Sequence, residues 1–221
     1  MSELLDFKPA LLPGDVTLAG HYGSVVKLDP LHHGASLWKA VKDRPELWAY
    51  MSYGPFESAK VFDDWLVERA ALNDPYAYAI LDPHGHAVGI AALMNIHPDM
   101  GVIEVGHIAY SPALQRTRLG TEAQYLLASY AFDTLGYRRY EWKCNALNGA
   151  SRGAALRYGF SFEGIFRQHM VVKGRNRDTA WYSIIDIEWP ARKAAFERWL
   201  SPDNFDAQGH QKARLSDLMA C

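Results

Sequence analysis

Cysteine is scarce: Cys144 and Cys221 are the two in a chain of 221 residues. Two thiols do not build a disulfide framework, so a reduced, cytosolic protein is expected. Neither sign of charge dominates, with 23 basic against 25 acidic residues and a formal net charge of −2. That balance gives no general case for nucleic acid or an anionic membrane as partner. No apolar run is long enough to span a bilayer. The opening Met1–Asp6 lacks the charge and apolar run of a secretory signal, and no internal repeat is visible. Metal-ligand clusters are missing too. His84 and His86 sit in the hairpin turn built on Asp82-Pro83-His84-Gly85, with no third ligand nearby, and they and the pair His32 and His33 read as solvated. What is present is a 49% hydrophobic chain able to bury one sizeable core as one domain.

Residues 1–19 carry Pro9, Pro13 and Gly14 with little periodicity and read as a surface arm. Strands are expected over Tyr22–Leu28, Tyr76–Leu81 and Ala87–Ile96, and helices over Leu31–Val41 and Glu57–Leu72. Between those helices, Trp48–Phe56 is dense in aromatics, which more often fill core than line a site. The central stretch is Val102–Tyr110, a β-branched apolar strand broken by Gly106, followed by a loop Ser111–Gly120 and a helix from Thr121 to about Leu135. A strand, a tight loop and a fresh helix N-terminus form an anion site, since unpaired N–H groups and the helix dipole converge there. Next come a half-buried strand Arg139–Asn145 and a helix Gly149–Tyr158, capped by Asn148 and stopped by Gly159. Phe162–Val172 and Thr179–Glu188 form a hairpin around the basic tip Lys173–Asp178, most simply a solvated turn. Pro190–Leu200 is helical, and a polar tail without a clear task runs to Cys221.

The loop Gln115-Arg116-Thr117-Arg118-Leu119-Gly120-Thr121 resembles the coenzyme A pyrophosphate loop of the GNAT acetyltransferase superfamily, Gln/Arg-x-x-Gly-x-Gly/Ala. Asn148-x-x-Ser151 followed by Tyr158-Gly159-Phe160 matches that family's next motif, at its usual separation. Glu104-x-Gly106 and Thr121-Glu122-Ala123 point to the branch resembling ribosomal-protein alanine N-acetyltransferases. The resemblance covers roughly residues 20–190, leaving 1–19 as the arm and 191–221 as a C-terminal helix and tail. One departure stands out: Arg118 occupies the family's first loop glycine.

The resemblance implies an α+β fold. A mostly antiparallel twisted sheet of six to seven strands, flanked by helices, is splayed between its fourth and fifth strands. It also implies acetyl-CoA as acyl donor, no metal, and an amine acceptor. Gln115, Arg116, Arg118, Leu119, Gly120 and Thr121 would hold the diphosphate, and Asn148 the pantetheine amide, with N-capping as its alternative. Gly106 would bulge to admit the thioester, with the N–H of His107 or Ile108 on the oxyanion, or it would simply bend the sheet. Glu104 would be the general base, or pair with an arginine; Ser151 would meet the leaving thiolate, or cap its helix. Tyr53 or Phe56 would touch the acceptor. The family's tyrosine acid is replaced by Ala155, and Cys144, within a strand, reads as an inert thiol. The expected activity is direct acetyl transfer to a primary amine, of a small molecule or a protein N-terminus, by a monomer or homodimer. A coenzyme A-binding regulatory module without catalysis is the other class. A longer donor such as succinyl-CoA, met by Lys173, Arg175 or Arg177, is a third possibility.

Overall fold

The computed structural model describes residues 7–220. One sheet runs through the molecule in the order β1-β2-β3-β4-β5-β6-β8-β7. The strands are β1 (Thr17–Ala19), β2 (Ser24–Lys27), β3 (Tyr76–Leu81), β4 (Ala87–His97), β5 (Val102–Tyr110), β6 (Arg139–Asn145), β7 (Ser161–Val172) and β8 (Arg175–Ile185). Period-two alternation sends Tyr78 and Ile80 to one face of β3 and Ala77 and Ala79 to the other. The alanine face receives α1 (Pro30–Val41) and α2 (Ala59–Ala70) through Leu37, Phe62 and Leu66. The larger residues meet α3 (Arg118–Ser129), α4 (Gly149–Arg157), α5 (Trp189–Leu200) and α6 (Leu215–Met219) through residues such as Leu127, Ala155, Phe196 and Leu215.

All neighbouring strands are antiparallel except β5 and β6. That parallel pair is short, matching Val102 with Arg139, Ile103 with Tyr140 and Glu104 with Glu141. Beyond Glu104 the two strands part, so the sheet is splayed between the strands expected as fourth and fifth. Residues Trp142–Asn145 keep their partners on the other side, in β8.

Several local expectations change. The sheet has eight strands, because Thr17–Ala19, within the stretch expected as an arm, pairs with Ser24–Val26. α3 starts at Arg118, since the Thr117 hydroxyl accepts from the Gly120 N–H at 3.0 Å and caps the helix three residues earlier than expected. The α-helical run ends at Ser129 and continues as a π-helical turn over Tyr130–Thr134 before left-handed Gly136. The basic tip shrinks to Lys173 and Gly174, both at positive φ, and Arg175 already pairs with Val172. His33 is not solvated: it is 8% exposed, and its Nδ1 accepts from the Asp29 N–H at 3.0 Å.

Glu122 ties the sheet edge to α3. Buried in that helix, its carboxylate accepts from the N–H groups of His21 (2.6 Å) and Tyr22 (2.8 Å) in the turn between β1 and β2. Charge-assisted bonds of this kind contribute about 1.5–3 kcal/mol each. Glu122→Ala is therefore expected to lower the unfolding free energy in urea by about 2 kcal/mol or more, since two turn donors lose their acceptor. A change below about 0.5 kcal/mol, the scatter of neutral surface changes, would refute this role.

Candidate acyl-transfer site

Where β5 leaves β6, the strands wall a cavity of about 500 Å³. Glu104–Tyr110 lie along one side and Trp142–Asn145 along the other, while Asn148, Ser151 and Tyr158 of the α4 region and Tyr53 complete it. A second cavity of about 1180 Å³ is lined by Gln115–Arg118, Gly120 and Thr121. The two share Tyr110, Gln115, Ala150, Ala154 and Tyr158, so they abut there. An elongated molecule can thus lie with one end between the strands and the other on the α3 N-terminus.

At the loop expected to hold phosphate, the residues come together in an arrangement that differs from the expected one. The early start of α3 leaves the N–H groups of its first turn, Arg118 and Leu119, directed out of the helix end. Leu119 packs its side chain in the core and does not line the cavity. A Cβ on Gly120 would stand 2.7 Å from the Leu114 carbonyl oxygen; close backbone approach is what demands glycine there. Arg116 is exposed at positive φ. Arg118 lies 3.7 Å over the Phe205 ring, in the segment after α5. Gln115 donates from Nε2 to the Tyr110 carbonyl at 2.9 Å. Thr121 Oγ1 accepts from Arg157 Nη1 at 3.1 Å. These are cations, first-turn N–H groups and a roomy cleft, a donor set that fits a diphosphate.

In the strand gap, the bulge falls one residue later than expected. His107 and Ile108 together oppose Ala91, and His107 rather than Gly106 carries the left-handed φ of 50°. Gly106 is required for a different reason, because a Cβ would collide with Met94 Sδ. The His107 ring stacks on Tyr53 with centroids 5.5 Å apart, and Nδ1 stands 2.9 Å from the Tyr53 hydroxyl. Burial pushes its pKa down to about 4, so the imidazole is neutral at physiological pH. Phe56 does not reach the cavity. It packs among Trp48, Phe62 and Trp65, as aromatic clusters usually do.

Glu104 is 4% exposed and sits where the strands part. Its ion-pair partner is not an arginine but Lys143, with Nζ 2.9 Å from Oε2 and 2.7 Å from Glu141 Oε2. Asn95, which the sequence did not single out, donates from Nδ2 to the same Glu104 oxygen at 2.6 Å. Arg139 then bridges Glu141 and Glu163, so three carboxylates share two cations. Burial raises the Glu104 pKa above the ordinary carboxylate value, against the pull of Lys143 and Asn95. Oε1 has no hydrogen-bond partner among the described residues and is left for the cavity.

Asn148 caps α4, its Oδ1 accepting from the Ser151 N–H at 3.0 Å. The Ser151 hydroxyl accepts from Trp142 Nε1 at 3.0 Å, which leaves its own proton for another group. The Cys144 thiol is buried, and burial raises its pKa, the reverse of what a nucleophile needs. The basic tip has a task after all. Lys173 Nζ donates to the carbonyls of Trp48 (3.0 Å), Tyr53 (3.2 Å) and Gly54 (2.6 Å), fastening the aromatic loop. Of the three tip cations, Arg177 lines the strand-gap cavity, and its Nε is buried without a hydrogen-bond partner among the described residues. Among the described residues no group of three or more His, Cys, Asp or Glu side chains is placed to hold a metal, and no helix is long and apolar enough to cross a membrane.

Comparison with known proteins agrees with this geometry. Residues 27–161 match the family model described as Acetyltransferase (GNAT) domain. A GCN5-related N-acetyltransferase from Brucella melitensis superposes with a TM-score of 0.96 at 45% identity, covering 99% of this chain and all of that one. A structure from Chromobacterium violaceum ATCC 12472, described as a probable GNAT-family acetyltransferase, gives 0.82 at 41% identity, over 86% of this chain and 96% of that one. Among curated proteins, "Putative ribosomal N-acetyltransferase YdaF" of Bacillus subtilis (strain 168) is 27% identical over 150 residues, 66% of this chain and 80% of its own. GNAT acetyltransferases use acetyl-CoA as co-substrate. With its family model matched across more than half its length and its sheet splayed at the expected strands, this chain belongs to the GNAT acetyltransferase family.

Proposed function

We propose that the protein transfers an acetyl group from acetyl-CoA directly to a primary amine, with a protein N-terminus as the first acceptor to test. The observation that carries this reading is the gap between β5 and β6 with the buried Glu104 carboxylate at its apex. The protein-terminus choice draws support from the name of the Bacillus relative, which is said of that protein.

In this reading the diphosphate lies on the first turn of α3 and the thioester reaches the unpaired edge of β5. The amine enters from the side of Tyr53 and His107. Glu104 Oε1, directly or through a water, takes a proton from the amine as its nitrogen attacks the thioester carbonyl carbon. Three carboxylates against two cations leave a surplus negative charge, so the cluster can hold that proton without a counter-ion moving. The N–H of His107 or Ile108, displaced at the bulge, stabilises the oxyanion. The C–S bond breaks, the Ser151 hydroxyl meets the departing thiolate, and the proton lost by the amine returns on sulfur. Products are the amide and free coenzyme A.

Arg177 favours one variation of the donor. A buried guanidinium nitrogen without an acceptor, on the wall of this cavity, suits a carboxylate at the end of a longer acyl chain. Lys173 is committed to the loop carbonyls, and Arg175 does not line the cavity.

Glu104→Gln is expected to lower kcat by about a hundredfold or more while leaving the coenzyme A Kd within about twofold. Free-thiol release over an amine and N-terminal peptide panel, with calorimetry, reads both. Unchanged turnover removes Glu104 as base. Because burial raises its pKa and the base must be ionised, activity should fall on the acid side through a value above that of an ordinary glutamate. Glu104→Gln should abolish that limb, and His107, at about 4, should add none between pH 6 and 9.

Cys144→Ala should keep turnover within about threefold and show no burst of acyl-enzyme. A burst in wild type that disappears in the variant would overturn direct transfer. For the donor, acetyl-CoA and succinyl-CoA compared at one acceptor concentration should favour acetyl-CoA. A preference for succinyl-CoA that Arg177→Ala reverses establishes the longer donor instead.

A further inference from the structure

The larger cavity has a wall that the phosphate loop does not supply. The segment between α5 and α6 folds across it, and Gly209, Lys212 and Arg214 line the cavity from that side. The segment is built rather than draped. Asn204 donates from Nδ2 to the carbonyls of Trp199 (3.1 Å) and Ala213 (3.2 Å), and its Oδ1 accepts from the Ala213 N–H at 2.9 Å. Phe205 bridges to Gln211, whose Oε1 accepts from Trp199 Nε1 at 2.8 Å. Leu215 and Met219 anchor α6, the helix at its far end, in the core.

Charge around this cavity is lopsided. Arg116, Arg118, Arg157, Lys212 and Arg214 line it, against the single carboxylate of Asp217. Arg157 is half-buried, and its contacts are the Thr121 hydroxyl and the rings of Tyr158 and Trp199, with no carboxylate among them. The Arg214 side chain makes no hydrogen bond or ion pair among the described residues, and Lys212 Nζ donates to the Asp203 carbonyl at 2.8 Å. Cations gathered from three elements repel one another until an anion joins them.

Position decides which anion. The residues shared by the two cavities lie at the strand-gap end, and none of the C-terminal segment is among them. A ligand with its thioester at β5 and its diphosphate on α3 therefore carries its remaining end under Lys212 and Arg214. In coenzyme A that end is adenosine bearing a ribose 3′-phosphate. Resting on the coenzyme A reading above, we propose that Lys212 and Arg214 bind this 3′-phosphate. The C-terminal segment then serves as the element that recognises the nucleotide.

The test titrates coenzyme A and 3′-dephospho-coenzyme A calorimetrically into wild type and into the double variant Lys212→Ala/Arg214→Ala. Affinity for coenzyme A should fall about tenfold in the variant and affinity for the dephospho form by less than about twofold, the loss expected for a charge-assisted contact. Arg214→Ala alone, at a side chain with no hydrogen bond or ion pair among the described residues, should move the ratio in the same direction, and Arg214→Lys should restore most of it. Equal losses for both ligands, or none, overturn the proposal while leaving the coenzyme A reading in place. Wild type that binds neither ligand overturns both.

Discussion

The structure depends on β5 and β6 pairing for three residues and then ceasing to pair. A parallel strand beside an unpaired partner is a costly arrangement, because its edge carries N–H and C=O groups that water or a ligand must satisfy. Here it is held open by side chains on either side of the parting. Lys143 reaches from β6 to both Glu104 and Glu141, spanning the fork as a charged crossbar. β8 meanwhile keeps the far edge of β6 fully engaged. The sheet can therefore open on one side without unravelling on the other.

The same arrangement suits the proposed chemistry. A lone buried carboxylate would be expensive, and one paired to its own cation would be a weak base. Sharing two cations among three carboxylates lies between these extremes, and the group nearest the gap, Glu104, keeps one oxygen for it. Its hydrogen-bond partner Asn95 sits at positive φ in β4, near the register shift between Met94 and His97, so irregularity in the neighbouring strand aims that amide.

Much of the fold could be read in advance, because long apolar periodicities and glycine stops carry that information locally. The strands Tyr76–Leu81, Val102–Tyr110 and Arg139–Asn145 and the left-handed Gly136 and Gly159 fall where their patterns place them. Short or exposed elements escaped. Thr17–Ala19 has three residues, of which only Leu18 packs against the core, and the start of β8, Arg175–Asp178, is polar throughout. The loop before α3 was legible as a motif, but not Thr117 as the cap of that helix, although a threonine three residues before Gly120 carries that signal. Lys143 was hidden by its place in an alternating strand, where a lysine reads as a solvated outward residue. Its partners come from two other positions that only the register brings together. The tail's place over the cavity had no local signature, since Asn204 and Gln211 form their cage through contacts several residues apart.

The hairpin of β7 and β8 ends in an ammonium held by three carbonyls of a loop about 120 positions earlier. In the proposed reading, that clasp lets the length of a ribbon shape the mouth on the acceptor side. Lengthening or trimming the ribbon by a residue pair would shift the ammonium that holds the carbonyls of Trp48, Tyr53 and Gly54. On the proposed reading, acceptor choice and bond-making chemistry rest on separate stretches of chain, so that the one can drift while the other is held.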